Sequence, residues 1–162
     1  MSEEGQVEAI YVGPVGAGPL GEVPEVDAVA GRGLVGDRHY RPDPPPGEEA
    51  GRDITLVESE ALEALAAESG IELGPGESRR QIYTRGIRLN PLVGKRFLVG
   101  DVECLGIELC EPCNHLQSLT PPGTMRGLVH RAGIRADILS GGTIRPGDPV
   151  REAPDRAEAR TT

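Results

Sequence analysis

Apolar and polar residues along this chain fall into short alternating runs, with one segment of helical period. Val7, Ala9 and Tyr11 share one parity, which predicts a strand ending at the Gly13-Pro14-Val15-Gly16 breaker. A short strand is expected around 26–30, leading into the glycine-rich stretch 31–37, and a buried strand over 53–57. From Arg80 onward the pattern is β, with runs at 81–84, 95–99, 102–109, 134–139 and 143–150, each broken by glycine or proline. Within 102–109 the phase changes: Val102 and Cys104 share one parity, Ile107 and Leu109 the other, and Gly106 marks the slip. A β-bulge is predicted there, re-aiming whatever follows it.

The helical segment runs over 59–69. Ser59 is the expected N-cap, Glu60 and Glu63 suit the positive end of the dipole, Leu62, Leu65 and Ala66 form the apolar stripe, and Gly70 ends it. Between the second and third strands, residues 41–51 include three consecutive prolines, which remove backbone donors and predict a mobile excursion. Five or more short strands beside one helix predict a mainly β fold with one or two helices, a β-barrel-like single domain over residues 1–150. The stretch 151–162 has almost nothing to bury and is expected to be a disordered tail. Gly-Asp recurs at 36–37, 100–101 and 147–148, which turn chemistry explains without duplication.

Charge changes the picture by its distribution. Residues 1–78 carry 4 Lys+Arg and 17 Asp+Glu, whereas residues 79–145 carry 10 and 5, and all three cysteines lie in that basic stretch. Basic groups near a thiol lower its pKa and attract anions, so this is where a reactive thiolate and an anionic ligand would coincide. The whole chain of 162 residues is acidic, at net −9, and has three Tyr, one Phe and no Trp. Neither feature fits nucleic-acid binding through bulk charge or base stacking. No apolar run is long enough for a membrane span, and the acidic N-terminus is unlike a signal peptide. A cytoplasmic protein with reduced thiols is expected.

Cys110-Glu111-Pro112-Cys113 is the one closely spaced cysteine pair, and three chemistries compete for it. A thioredoxin-like redox pair needs a βαβ unit, which the pattern lacks. A zinc site could be drawn from Cys104, Cys110, Cys113 and His115, without a second closely spaced pair to support it. The third is a single reactive thiol, Cys113, at the end of a bulged strand. His39 follows Gly-Asp-Arg in a glycine-rich turn and His130 sits beside Arg131, while Arg79, Arg80, Arg85 and Arg88 cluster within ten residues. These cations form either an anion-binding rim or a salt-bridged surface.

The order Gly33-Leu34-Val35-Gly36-Asp37-Arg38, Arg80-Gln81-Ile82 with Leu89-Asn90, Glu111-Pro112-Cys113, His130-Arg131-Ala132-Gly133 and the closing Gly147-Asp148 resembles a stand-alone MOSC domain, the module named for the C-terminal domain of molybdenum-cofactor sulfurases. The resemblance spans about residues 7–150. It implies a barrel-like fold, a molybdenum cofactor of the molybdopterin type, and a cysteine, here Cys113, that carries sulfur as a persulfide or contacts the metal. Arg80, Arg85, Asn90, His39, His130 and Arg131 are the residues expected to bind the cofactor or a related phosphorylated anion. A cysteine desulfurase or a molybdenum enzyme is the implied partner. The chain departs from the pattern in its proline-rich 42–46 segment and shows no pyridoxal-phosphate site, so mobilising sulfur from free cysteine is expected to fall to another protein. Whether it is an enzyme stays open beside two alternatives: a non-catalytic module that holds or delivers the cofactor, and a zinc-stabilised interaction domain.

Overall fold

The computed structural model describes residues 4–13, 21–37, 40–41, 53–70, 80–110 and 133–153. The strands are β1 (Glu4–Val12), β2 (Gly21–Glu22), β3 (Val26–Val29), β4 (Gly33–Leu34), β5 (Ile54–Glu58), β6 (Ile82–Arg85), β7 (Arg96–Val99), β8 (Val102–Leu109), β9 (Ile134–Ser140), β10 (Gly142–Ile144) and β11 (Pro149–Glu152). The one α-helix among the described residues is α1 (Ser59–Ser69), and a 3-10 turn occupies Asn90–Leu92. Seven of the described strands follow one another as β11-β7-β8-β9-β5-β6-β1, and the ring closes where Gly5 of β1 faces Val150 of β11. Closure leaves these strands without open edges and puts alternate side chains in a single interior. The fold is therefore the mainly β barrel that the short-strand pattern predicted.

That interior is almost wholly aliphatic. Val7, Ile10, Ile54, Leu56, Ile82, Phe97, Val99, Val102, Cys104, Ile134, Ala136 and Val150 meet inside the ring. A second sheet, in the order β10-β3-β4, adds Val26, Ala28, Leu34 and Ile144 to the same core. Among the named strands β5 and β6 alone run parallel, with Leu56 opposite Ile82, and α1 makes the crossover that parallel neighbours need.

Register shifts in the β1–β6 and β8–β9 ladders set which residues look inward. In β8 the register against β9 shifts between Gly106 and Glu108, as the change of phase predicted. A Cβ at Gly106 would lie 2.3 Å from the Leu92 carbonyl oxygen, so glycine is also needed for the 3-10 turn to approach. The single parity expected for β1 does not hold. A shift against β6 between Val7 and Ala9 sends Val7 and Ile10 into the barrel and leaves Ala9 and Tyr11 outside, packed on Tyr83. Three-residue spacing of inward positions is what one extra residue in a strand produces.

The helix has its expected limits, and Gly70 ends it at φ 71 with its N–H on the Ala66 carbonyl. Its cap differs from the expectation. Glu58 holds the N-cap position without a side-chain cap, and Ser59 is the first helical residue with a buried, unpartnered Oγ. Glu58 is diverted: its Oε2 accepts the Leu89 N–H at 3.0 Å, stitching the helix entry to the segment after β6. Ala61 and Leu65 are the buried contacts of α1, while Leu62 and Ala66 are half-buried. The expected 143–150 strand is two strands divided by a turn in which Asp148 Oδ2 accepts the Arg145 N–H at 2.9 Å. The glycines of all three Gly-Asp pairs, Gly36, Gly100 and Gly147, have positive φ of 91°, 60° and 94°, the geometry of turns. β11 continues past Val150 to Glu152, and Ala153 N–H reaches the Arg96 carbonyl at 2.9 Å. The proline-rich 42–46 segment and residues 154–162 lie outside the described residues.

Candidate functional site

Because β5 and β6 run parallel, their first residues emerge at the same end of the barrel, and the end of β1 and the stretch after β4 arrive there too. Three buried polar residues, Asp37, Asp53 and Gln81, collect at this end beside the half-buried Thr55 of β5. Asp37 Oδ1 accepts the Gly13 N–H at 3.0 Å and its Oδ2 accepts the Gln81 Nε2 at 2.8 Å. Gln81 Oε1 accepts the Thr55 N–H at 2.9 Å, and the Gln81 N–H returns to Thr55 Oγ1 at 3.0 Å.

Asp53, one residue ahead of β5, is saturated in the same way: Arg41 Nη2 donates to Oδ1 at 2.5 Å and the Ile138 N–H to Oδ2 at 2.9 Å. Both buried carboxylates thus spend both oxygens on donors, which is how a buried charge is made tolerable. The Tyr40 N–H on the Asp37 carbonyl at 3.0 Å, with the Arg41 N–H on the Arg32 carbonyl at 2.9 Å, ties the main chain on either side of residues 38–39 to this cluster.

The sequence-predicted site residues fall in different places. Arg80, half-buried, immediately precedes Gln81 and so belongs to this end. Arg85 closes the other end of β6, five residues on, or roughly 16 Å along an extended strand. Its guanidinium is strapped to Glu8 at 2.6 Å and to Glu63 of α1, so its charge is engaged on the barrel exterior. These partners push the Arg85 pKa further up, and the Arg85 hydrogen bond draws the Glu63 carboxyl below its ordinary value. Asn90 is exposed at the start of the 3-10 turn, where its carbonyl accepts the Val93 N–H at 3.2 Å. His39, Cys113, His130 and Arg131 lie outside the described residues, as does His115.

Both described cysteines are buried. Cys104 is fully buried opposite Ile138, and burial, reinforced by Asp53, Glu103 and Asp137, pushes its thiol far above the ordinary value. A thiol so held packs as a small hydrophobe in the aliphatic core. Cys110 is also buried, and its N–H donates to the Gly133 carbonyl at 2.8 Å. That bond joins the last residue before the 111–132 segment to the first residue after it. Among the described residues no group of three His, Cys, Asp or Glu is arranged to hold a metal ion, and no helix is long and apolar enough to cross a membrane.

Sequence reasoning assigned no role to Asp37, Arg41, Asp53 or Gln81. A Gly-Asp pair reads as a turn, and Gln81 beside Arg80 reads as the polar start of a strand. Their burial depends on contacts 44 residues apart for Gln81 with Asp37 and 85 for Asp53 with Ile138, which no local pattern reports.

A family model described as MOSC domain matches residues 36–151. A search of curated proteins finds no match. Among solved structures, the YuaD protein from Bacillus subtilis is similar at a TM-score of 0.78 and 17% identity, with 96% of this chain and 100% of that one covered. The YiiM protein from Geobacillus stearothermophilus is similar at 0.69 and 18%, covering 93% and 75%. YiiM from Escherichia coli is similar at 0.66 and 16%, covering 96% and 71%. At such identities the three structures speak for the fold.

Proposed function

The chain belongs to the MOSC domain family, and from that premise we propose that it binds a molybdopterin-type molybdenum cofactor or a related phosphorylated anion, with Cys113 as persulfide carrier or metal-contacting thiolate. The observation that carries this reading is the Cys110–Gly133 hydrogen bond. It brings the two ends of the 111–132 segment together, and in the sequence Cys113 follows one end by three residues while His130 and Arg131 precede the other by three and two. Cations near a thiol favour its thiolate, which is both the nucleophile for sulfur transfer and the form that ligates a metal.

Arg80 lies at the end where β5 begins, whereas the Cys110–Gly133 bond lies beside Leu56 and Val57, toward the end of β5. Asp37 and Asp53 are hydrogen-bonded through both oxygens, and the charge of Asp53 is offset by the Arg41 guanidinium. Arg80 is the cation of the predicted set that this end supplies, with a guanidinium suited to a phosphoryl group. Arg85, held by Glu8 and Glu63, is assigned to fixing α1 on the barrel. A bound molybdenum centre would supply a metal for the Cys113 thiolate to contact. In the carrier role, the Cys113 thiolate attacks the outer sulfur of a desulfurase persulfide. The donor S–S bond breaks, a new one forms on Cys113, and the donor cysteine leaves as thiolate.

The test is molybdenum and pterin analysis of protein purified from its native host, parent against Cys113→Ala. Co-purifying pterin and metal that the variant loses would support the reading. Stoichiometric zinc without pterin would replace it with the zinc-stabilised interaction domain.

A further inference from the structure

The geometry points to Gln81 and Asp37 as a positioning pair that sets the start of β6, with Arg80, against the Asp37–Arg41 stretch; as a feature of an anion site, this rests on the reading above. Gln81 is 4% exposed and Asp37 6%, and they meet through a single hydrogen bond of 2.8 Å from amide to carboxylate. Each is fixed from behind. The Gln81 side chain accepts from Thr55 of β5, and its carbonyl accepts the Tyr11 N–H of β1 at 2.7 Å. Asp37 holds Gly13, just past β1, through its other oxygen. Three parts of the chain therefore take their relative positions from one donor–acceptor pair, and a buried pair of this kind costs most when only one member is changed. Arg80 is one residue from Gln81, and Arg41 is held by Asp53 two residues ahead of Thr55. A slip at the pair would displace Arg80 relative to the Asp37–Arg41 stretch while leaving the aliphatic core intact.

A swap of donor and acceptor tests this. Gln81→Glu sets a second carboxylate against Asp37, and Asp37→Asn leaves a donor facing a donor at either Gln81 or Gly13. Combined, the two changes restore every bond described here: the amide introduced at position 37 donates to the carboxylate introduced at position 81 and still accepts from Gly13, while that carboxylate still accepts from Thr55. Two readouts are taken on the full chain, amide hydrogen exchange by NMR and titration with inorganic phosphate. Each single variant should lower protection at Gly13 and Thr55 roughly tenfold and weaken phosphate binding by a similar factor, with the Cys104 amide unchanged. The double variant should recover both. Losses that add in the double variant, or exchange that rises equally at Cys104, would overturn the pair as a positioning device. Phosphate affinity that is equal in parent and single variants would overturn its role at the site. If the parent itself binds no phosphate, the anion reading fails, and the exchange data still decide the coupling.

Discussion

Gly133 sits where β9 begins beside β5, with φ of +97° and a virtual Cβ 1.9 Å from the Leu56 carbonyl oxygen. Gly133→Ala therefore adds two costs. The positive φ disfavours any L side chain by about 1–2 kcal/mol. The contact is too close for a side chain to relax, because the obstacle is backbone, so β9 must draw away from β5. Loosening the ladder around the Leu56–Ile134 pair loses one or two hydrogen bonds at about 1 kcal/mol each. The total is about 2–4 kcal/mol, a large share of the roughly 5–15 kcal/mol that a domain has. Gly94→Ala is the control, since Gly94 has φ of +84° with nothing within 4 Å of its virtual Cβ and carries the dihedral cost alone. Equilibrium urea unfolding of both variants should show Gly133→Ala less stable than Gly94→Ala by about 1–2 kcal/mol, at unchanged slope for the control. Equal losses would refute the close β5–β9 approach and with it the placement of the Cys110–Gly133 bond.

Two further outcomes follow from the charges and thiols. The Glu63 carboxyl is drawn below its usual value by Arg85, so the strap is fully formed above the ordinary glutamate range and is lost as pH falls through the lowered value. Parent and Glu63→Gln should therefore differ in thermal stability at neutral pH and converge in acid; a difference that grows in acid would contradict the pairing. Cys104, buried and held as thiol, should resist a thiol-specific reagent in the native protein and react only on unfolding, whereas rapid native labelling of Cys104 would contradict its place in the core.

The barrel was legible because its signals are local. Short alternating runs, the phase slip at Gly106 and the Gly70 stop each lie within a few residues of what they specify. The phase of β1 was not, since Ala9 and Ile10 are both apolar and only pairing with β6 decides which one faces inward. The same limit governs the charges. Arg85 stands in an arginine cluster in the sequence, yet its partner Glu8 is 77 positions away and pairs it on the barrel exterior, a contact no local pattern reports. The N-cap assignment failed for a related reason: Glu58 takes that position and is recruited by the Leu89 N–H, a bond that only the packing of α1 on the barrel creates. Buried polar residues such as Gln81 are the hardest to see, because their composition is that of a surface and their satisfaction comes from three separate segments.

Sulfur loading of Cys113 is the most direct trial of the proposed function. The full chain is incubated with a cysteine desulfurase and cysteine, the products are trapped by alkylation, and each cysteine is read by peptide mass spectrometry, with retained pterin assayed in parallel. The prediction is one added sulfur atom on Cys113 in the parent, none on Cys104, and loss of both loading and pterin retention in Cys113→Ala. If Cys113→Ala matches the parent in both assays, the carrier and the metal-contact roles are contradicted together.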